Sequence, residues 1–382
     1  MDGMAGTKSS LTWAVHISVV ILVAIWIFPT LGLLVSSFRT GEQISSSGWW
    51  ASFQAAEQTA QFRAEDPEDK RVEDGDRFVV TERLYPEGED VNIVSWGTSS
   101  RDIGAYAPGD VADLGDGETF QVTEDGSYVW SGDEEQVSGR GQRFFVTAET
   151  PPDFTFDNYE LVMTASTNDG MAKAFFNTLT VTIPATIIPI VVAAFAAYAL
   201  AWMEFPGRAL LVAAVVALLV VPLQLALIPL LQLHNSIGIG KGYLGVWLAH
   251  TAFGMPLAVY LLRNYMVGLP RDIIESAKVD GATDFQVFVK IILPLSFPAL
   301  ASFAIFQFLW TWNDLLVALV FLIDATGQTT VMTRQIVELL GTRGGDWEIL
   351  ATAAFVSIAV PLLVFFTMQR YLVRGLLAGS VK

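Results

Sequence analysis

Six long apolar stretches constrain this chain more than any other feature of its sequence. The hydrocarbon core of a bilayer is about 30 Å thick, and about 20 helical residues are needed to cross it, because lipid offers no partners for backbone polar groups. The sequence therefore predicts an all-α polytopic membrane protein with six transmembrane helices. The predicted spans are residues 13–37, 174–203, 209–233, 243–262, 295–322 and 349–368.

The composition agrees with a membrane protein and excludes several kinds of chemistry. Hydrophobic residues make up 52% of the 382 residues, which is high for a soluble protein. The chain has no cysteine, so disulfides, thiolate catalysis and cysteine metal sites are excluded. Its three histidines lie in separate segments without metal-ligand spacing, so no metal site is predicted. The first apolar stretch is longer than that of a signal peptide, and we interpret it as an uncleaved helix.

The acidic residues are concentrated in one segment after the first predicted span. Residues 42–170 hold 28 of the 39 acidic residues but 8 of the 22 basic residues. With the N-terminus in the cytoplasm, nine of the remaining Lys and Arg residues lie inside and five lie outside. Positive charge accumulates on the cytoplasmic side of membrane proteins. Both termini are therefore predicted to be cytoplasmic, and residues 41–167 to be extracytoplasmic.

Residues 41–167 predict a β-rich domain inserted between the first and second spans. Asp125-Gly126 is typical of a hairpin turn, because glycine readily takes a positive φ. The pattern over residues 54–76 leaves a helix and a linker both open. The acidic residues favour a solvated surface, with a docking face for a basic partner and a calcium site as alternatives. The predicted strands are residues 77–85, 91–96, 119–123, 127–130 and 143–147.

The link between the fourth and fifth spans, residues 269–294, predicts two short helices joined by a turn. Pro270 can occupy the first position of a helix, and Asp272 suits the positive end of that helix. Gly281 offers a turn, and a second amphipathic piece follows over residues 285–292. Such a link has an apolar side for the bundle and a polar side for a partner. The residues predicted for the apolar side of the first helix are Ile273, Ile274, Ala277 and Val279.

This link resembles the E-A-A-x3-G-x9-I-x-L-P loop of binding-protein-dependent importer permeases. Residues 275–281 match its first part and residues 291–294 its second, with Ser276 as a small-for-small departure. The resemblance implies a coupling helix seated in a cleft of an ATPase subunit, with Glu275 facing an ATPase cation and Gly281 in a turn that tolerates no Cβ. An ordinary amphipathic interfacial helix is the alternative. The residues assigned to coupling are Glu275, Ser276, Ala277, Asp280, Gly281, Ala282, Ile291, Leu293 and Pro294.

Residues 10–40 and 155–382 also resemble the smaller permease of maltose-type sugar importers. The residues that carry this likeness are Phe28-Pro29, Ser37-Phe38-Arg39, Trp312-Asn313-Asp314 and the ending from Tyr371. The resemblance implies a C-terminal tail between two ATPases and an outer loop that probes the sugar pocket of a binding protein. The long insert departs from the maltose type and resembles the α-glucoside permeases. The implied tail residues are Arg374, Gly375, Gly379 and Lys382, and the implied loop residues are Gly341, Arg343, Gly344, Gly345 and Asp346.

Polar residues within the predicted spans are candidates for a substrate path, because an unpaired polar group in lipid is costly. Sugars need neutral hydrogen-bonding groups and aromatic faces. The residues that could supply them are Gln224, Gln307, Trp310 and Trp312. The structural alternative places Trp310 and Trp312 in an aromatic belt. It makes Asp314 either the cap of a broken helix or a hydrogen-bonding partner of a neighbouring helix. The candidate path residues are Asn177, Gln224, Gln307, Trp312, Asn313 and Asp314.

Other functions fit the sequence less well. The chain has no G-x4-G-K-[ST] loop for ATP and no G-x-S-x-G or H-E-x-x-H hydrolase motif, so it is not expected to be an enzyme. A membrane-anchored receptor whose outer β domain binds ligand stays as the alternative. Six spans exceed what an anchor needs, and a receptor would have no use for a coupling loop.

The sequence and the resemblance together predict a permease subunit of an ATP-driven carbohydrate importer in a bacterial inner membrane. The expected substrates are α-glucosides of the maltose, sucrose or trehalose type. The expected partners are a second permease in a heterodimer, two ATPase subunits, a periplasmic sugar-binding protein and the lipid bilayer, without nucleic acid. The chain itself is expected to bind no cofactor, with ATP used by the ATPase. The expected parts are residues 1–40 with the first span, the insert 41–167, and a five-helix core 168–382 that includes the coupling loop 269–294 and the tail 369–382.

Overall fold

A computed structural model of the protein describes residues 10–86, 91–164, 170–322 and 326–378, with side chains described from Leu11 to Tyr371 within those ranges. The chain divides into two structural units. The first unit is Met1–Asn158 with Asp346–Ala351, and the second is Tyr159–Gly345 with Thr352–Lys382.

The first unit begins with a long apolar helix, α1 (Ser10–Ser36). Its segment Leu11–Ser36 has the length and composition of a membrane span. Large apolar side chains such as Trp13, Val20 and Trp26 are exposed along it. A helix that is apolar all round is stable when lipid covers it. Helix α1 therefore agrees with the first predicted span.

The chain reverses directly after α1 around a buried arginine. Arg39 is 2% exposed, and its guanidinium donates hydrogen bonds to the Gln43 carbonyl at 2.6 Å and the Ser47 carbonyl at 3.1 Å. The Ser47 hydroxyl accepts a third bond at 2.6 Å. These acceptors lie at the end of a short helix, α2 (Gly41–Ser46). Burial lowers the pKa of Arg39 from its ordinary value, and the hydrogen bonds offset the cost of burying its charge.

A β domain follows α2 in the first unit. Its described strands are β1 (Ala56–Arg63), β2 (Val72–Asp74), β3 (Arg77–Arg83), β4 (Asn92–Gly97), β5 (Val111–Gly115), β6 (Glu118–Val122), β7 (Ser127–Gly132) and β8 (Arg143–Thr150), with a short helix α3 (Pro67–Lys70) between β1 and β2. They form two antiparallel sheets, with strand order β1-β8-β4 in one and β2-β3-β7-β6-β5 in the other.

The two sheets share one aromatic core. Trp96 and Phe144 come from the first sheet, and Phe120 and Tyr128 come from the second; none is more than 2% exposed. The ring centroids of Phe120 and Phe144 are 4.6 Å apart. Strand β7 alternates buried and half-buried residues, as a strand does when one face packs on a core. Apolar contact between the sheets therefore holds this domain together.

The predicted β-rich insert is confirmed, and each of the five predicted strands overlaps a strand of the structure. The predicted hairpin at Asp125-Gly126 joins β6 to β7, and Gly126 has a φ of +78°. Residues 54–76, which the sequence left undecided, contain β1, α3 and β2. Strand β1 pairs with β8 over its full length. Among the described residues, no group of three or more His, Asp or Glu side chains could hold a metal ion.

Phe144→Ala is expected to lower the free energy of unfolding of the β domain by about 3–5 kcal/mol, because it leaves a cavity at a fully buried ring. The matched control is Val111→Ala in β5, where the side chain is 56% exposed; its effect should stay within about 0.5 kcal/mol. The measurement is thermolysin cleavage of the purified full-length protein in nanodiscs across a urea series. Equal cleavage of the two variants would contradict this core.

The second unit is helical in its described residues. Its helices are α4 (Asp157–Thr164), which begins at the end of the first unit, α5 (Gly170–Trp202), α6 (Arg208–Leu218), α7 (Leu223–Ser236), α8 (Tyr243–Val267), α9 (Arg271–Val279), α10 (Asp284–Val287), a π-helical turn (Phe288–Ile292), α11 (Leu293–Leu295), α12 (Phe297–Trp312), α13 (Leu316–Phe321), α14 (Met332–Thr342) and α15 (Trp347–Ala378), which starts within the first unit.

Four described helices have the length and composition of an unbroken span, namely α1, α5, α8 and α15. Two further candidates are pairs of helices with a bend between them. The bend is 111° between α6 and α7, and 70° between Asp284–Leu295 and α12. The described residues therefore contain four candidate spans, or six if each bent pair crosses the membrane once.

Two predicted spans are not continuous helices, which corrects the sequence-based prediction. The stretch 209–233 is interrupted before Pro222, because a proline has no N–H to donate and disfavours helix at the residue before it. The stretch 295–322 is interrupted between α12 and α13. There the Asp314 carboxylate accepts hydrogen bonds from the N–H groups of Val317 and Ala318 at 3.3 and 3.1 Å. A side chain thus starts α13 where the backbone of α12 ends.

Candidate coupling segment and polar sites of the helical unit

Helix α9 forms the first half of the predicted coupling segment, residues 269–294. Pro270 lies one position before the helix, at its N-cap, and not at the first helical position that the sequence predicted. At the other end, the Ala282 N–H donates to the Ala277 carbonyl and the Gly281 N–H to the Lys278 carbonyl, each at 3.0 Å. This pair of bonds is a Schellman motif, which needs a left-handed residue. Gly281 supplies it, with a φ of +82°.

The side of α9 that packs on the bundle is narrower than predicted. Ile274 is 4% exposed and lies in one core with residues of α5, α8 and α12. Ala277 packs against the same core. Ile273 and Val279 are 40% and 87% exposed, so their predicted place on the apolar side is wrong. A helical turn takes about 3.6 residues, so Ile274 and Ala277, which are three positions apart, lie on nearly the same side of α9. Val279 is five positions from Ile274 and lies on a different side.

The outer side of α9 is charged and accessible. Arg271 Nε and Glu275 Oε1 are 3.0 Å apart, with side chains 75% and 63% exposed. Lys278 Nζ lies 3.1 Å from Asp284 Oδ1 on the next helix. Exposed pairs of this kind contribute little to stability, so the carboxylate of Glu275 can exchange its partner at small cost.

The second half of the segment is anchored more deeply than the first. Thr283 and Gln286 form a capping box that starts α10. Phe288 and Ile292, in the π-helical turn, are 3% and 1% exposed. The sequence predicted one amphipathic piece over residues 285–292. In the structure these residues are divided between α10 and the π-helical turn. Pro294 explains the wider turn, because a proline cannot donate to the carbonyl four residues before it and its ring needs space there.

The structure places the predicted coupling residues on both sides of the segment. Five are exposed and can meet a partner, and four are half-buried against the bundle. The exposed residues are Glu275, Ser276, Asp280, Gly281 and Pro294, and the half-buried residues are Ala277, Ala282, Ile291 and Leu293.

The two other regions implied by the resemblance are described in part. In the predicted tail, Arg374 and Gly375 lie within α15 beyond the last described side chain, and Gly379 and Lys382 lie outside the described residues. In the predicted probing loop, Gly341 lies in the last turn of α14 and Arg343 at its C-cap. Gly344 and Gly345 are exposed, and Asp346 is half-buried just before α15.

The candidate path residues mostly bind other helices of the second unit. Asn177 donates to the carbonyls of Gln328 and Thr330 at 2.9 Å each and accepts from the Tyr243 hydroxyl at 2.8 Å. Gln224 is exposed near the start of α7. Asn177 therefore connects α5 with α8 and with residues 328–330.

Gln307 and Trp312 are buried on α12. Gln307 is 1% exposed and donates to the carbonyls of Ala185 on α5 and His250 on α8, at 3.1 and 3.3 Å. Trp312 is also 1% exposed, and its indole N–H donates to the Ser357 carbonyl at 3.0 Å. An aromatic belt needs an exposed ring, so Trp312 does not belong to one.

The end of α12 is shaped by two neighbouring polar residues. Asn313 is exposed and donates to the Leu309 carbonyl at 2.8 Å. Asp314 caps α13, as the structural alternative expected for this residue. Trp310 is 40% exposed, which is compatible with a place at a membrane interface.

His250 is a polar residue that the sequence did not single out. It is 3% exposed, and its Nε2 lies 3.7 Å from Oδ2 of Asp314, whose side chain is 7% exposed. Gln307 binds the His250 carbonyl, so the structure brings these three residues together at the contact of α8 and α12. The signal in the sequence is an ionisable residue inside a predicted span, where an unpaired polar group is costly.

Comparisons with known proteins agree with the resemblance. Residues 189–377 match the family model described as binding-protein-dependent transport system inner membrane component. An alpha-glucoside transport system permease protein of Rhizobium meliloti is 58% identical over 380 residues, which are 98% of this chain and 98% of the relative. That match is long enough to include the β domain.

Two further relatives match a smaller share of the chain. An osmoprotective compounds uptake permease protein of Synechocystis is 58% identical over 229 residues, 60% of this chain and 76% of the relative. A trehalose transport system permease protein of Mycobacterium tuberculosis is 35% identical over 237 residues, 61% of this chain and 84% of the relative. Each is named a permease protein, which supports a transport subunit over the receptor alternative. This chain belongs to the family of binding-protein-dependent transport system inner membrane components, and it is a multi-pass permease subunit of an inner membrane.

Proposed function

We propose that this permease subunit serves an ATP-driven carbohydrate importer and that residues 269–294 connect its helices to an ATPase subunit. One observation carries the coupling role, namely that the segment has one face fixed on the bundle and one face free. The fixed face is Ile274 with Phe288 and Ile292, which are buried in the core of the second unit. A push on the outer face is therefore transmitted to α8 and α12, the helices on either side of the segment.

The free face suits a protein cleft better than water. Val279 is 87% exposed and Phe285 is 65% exposed, and both lie close to the charged pair of Arg271 and Glu275 in sequence. Covering apolar side chains contributes about 25 cal/mol for each Å² removed from water, and charges at the rim select the partner. In this proposal ATP is bound and hydrolysed by the partner alone, and Glu275 meets a cation of the partner.

The proposed topology has six spans, both termini in the cytoplasm and the β domain outside. It is supported by the excess of Lys and Arg on the proposed cytoplasmic side and by the two bent pairs counted as one span each. The proposed assembly holds a second permease, two ATPase subunits and a periplasmic sugar-binding protein. In it the tail from Arg374 to Lys382 lies between the ATPases, and the loop from Gly341 to Asp346 meets the binding protein.

The proposed substrates are α-glucosides of the maltose, sucrose or trehalose type. The support is the alpha-glucoside permease of Rhizobium meliloti, which matches 98% of this chain, and the trehalose permease of Mycobacterium tuberculosis. Gln224 and Asn313 are the exposed members of the predicted path and are proposed to face the sugar. Gln307 and Asp314 are proposed to hold the path in shape, because their polar atoms bind neighbouring helices.

The test is uptake of radiolabelled sugars by proteoliposomes that contain the chain with its partner permease, ATPase and binding protein. Maltose, sucrose or trehalose should enter in an ATP-dependent manner, and lactose, a β-linked disaccharide, should not. Uptake of lactose alone would contradict the substrate class and leave the coupling role intact. Sugar uptake without any ATPase would contradict the coupling role.

Ile274→Ala is expected to lower uptake by at least about tenfold, because losing a buried isoleucine costs about 2–5 kcal/mol of packing and loosens α9 on the bundle. ATP hydrolysis by the assembled complex should persist, since the exposed face is unchanged. The control is Ile103→Ala at an isoleucine of the β domain that is 39% exposed and lies outside the coupling segment, where uptake should stay near wild type. The proposed seat of α9 is wrong if the two variants transport equally well.

Gly281→Asn separates the backbone role of this glycine from its role at the partner surface. The described residues leave open space where a Cβ would lie, so the strain of a substitution comes from the φ of +82°, which asparagine tolerates better than most residues. If the ATPase cleft covers this position, Gly281→Asn should abolish uptake, as Gly281→Asp should, while the protein stays in the membrane. The matched control is Gly75→Asn, at another open glycine with a φ of +66°. Wild-type uptake by Gly281→Asn and by Gly281→Asp would place Gly281 outside the ATPase contact.

A further inference from the structure

The residues that follow the reversal at Arg39 return along α1. The ring centroids of Trp49 and Phe28 are 4.5 Å apart, and those of Trp50 and Phe28 are 6.3 Å apart in a stacked arrangement. Gly32 makes this approach feasible, because a Cβ there would lie 2.7 Å from the indole nitrogen of Trp49. The two tryptophans are therefore held against the side of α1, and do not extend from its end.

The depth of this contact in the membrane follows from the length of α1 and the thickness of the hydrocarbon core. Phe28 precedes Ser36, the end of α1, by eight residues, which correspond to about 12 Å at a rise of about 1.5 Å per residue. The span Leu11–Ser36 has 26 residues and is about 39 Å long, whereas the hydrocarbon core is about 30 Å thick. A helix centred in that core extends about 4–5 Å beyond it at each end, so the last turn of α1 lies among the headgroups and Phe28 lies in the outer part of the hydrocarbon. Trp49 and Trp50 pack on Phe28 and therefore lie just beneath the headgroups.

More aromatic side chains continue from this contact and are exposed. Trp50, Phe53 and Phe156 are 70%, 77% and 74% exposed. Phe53 packs on Phe154 with centroids 5.4 Å apart, and Phe156 packs on Phe38 at 5.3 Å. Exposed aromatic rings this numerous near one end of a helix are rare on a surface that faces water.

We propose that an aromatic collar of Trp49, Trp50, Phe53, Phe154 and Phe156 is embedded in the lipid interface around the end of α1 and holds the β domain at the membrane surface. Lipid is favoured over a protein partner because the collar lies beside α1, whose large apolar side chains are exposed along its length and whose length and composition are those of a membrane span. Tryptophan suits the headgroup boundary, where its indole N–H can reach polar groups. Phenylalanine rings suit the acyl region just beneath that boundary. The leaflet, the outer one, rests on the proposed topology.

The chain has no cysteine, so a spin label can be placed at one position at a time. Phe53→Cys and Phe156→Cys in the full-length protein, in phosphatidylcholine and phosphatidylglycerol nanodiscs, are compared with Val111→Cys in β5. Oxygen, which concentrates in lipid, should collide with labels at 53 and 156 more often than a water-soluble nickel chelate does. At 111, which is 56% exposed on the β domain, the order should be reversed. Nanodiscs expose both membrane faces, so the result does not depend on the proposed orientation or on transport.

Two outcomes would overturn the collar. Nickel collisions at 53 and 156 as frequent as at 111 would show that these rings face water. Exclusion of both oxygen and nickel would show that protein covers them, for example a second copy of the chain. Gly32→Val in the Phe53→Cys background adds a positive test, because it displaces the Trp49 ring from α1. In that variant the nickel collision rate of the label at 53 should increase towards the rate at 111.

Discussion

A hydrocarbon layer leaves no backbone polar group unpaired, and this constraint determines both the helices of the protein and the places where they end. Where α12 ends, the carboxylate of Asp314 provides acceptors for the first N–H groups of α13. Between helices, the amide of Gln307 donates to carbonyls of α5 and α8. These polar side chains of the second unit thus pair backbone groups that would otherwise be unpaired. This explains why so few of the candidate path residues are left to bind a sugar.

The coupling segment shows how a short element can be both fixed and exposed. Its helix is only nine residues long and would not be stable alone in water. Ile274 fixes it on the bundle, the Schellman motif at Gly281 ends it, and the capping box at Thr283 starts the next helix. The remaining surface is then free for recognition. The same residues that match the importer pattern therefore divide between holding the segment and presenting it.

The sequence predicted what depends on local pattern and missed what depends on distant contacts. Long apolar stretches and strands with large apolar residues were visible, as was the turn at Gly126. Strand β1 was not, because its polar sequence becomes a strand by pairing with β8, almost ninety positions later. The helix break at Asp314 was foreseen as an alternative, since capping is local. Its neighbour His250 lies 64 positions earlier and only the folded chain brings the two within 3.7 Å. Ile273 and Val279 were assigned to the wrong face because apolar character alone does not show which side of a short helix is covered.

The buried guanidinium of Arg39 has a consequence for motion. It lies three residues beyond α1 and binds three oxygen atoms of the reversal. A shift of α1 by one turn along its axis, in the direction of its N-terminal end, would therefore pull a charged and hydrogen-bonded unit towards hydrocarbon. Moving a cation into that region costs several kcal/mol. Helix α1 is thus unsuited to act as a piston. A movement of α1 along its own axis is therefore more costly than one that leaves Arg39 at its present depth.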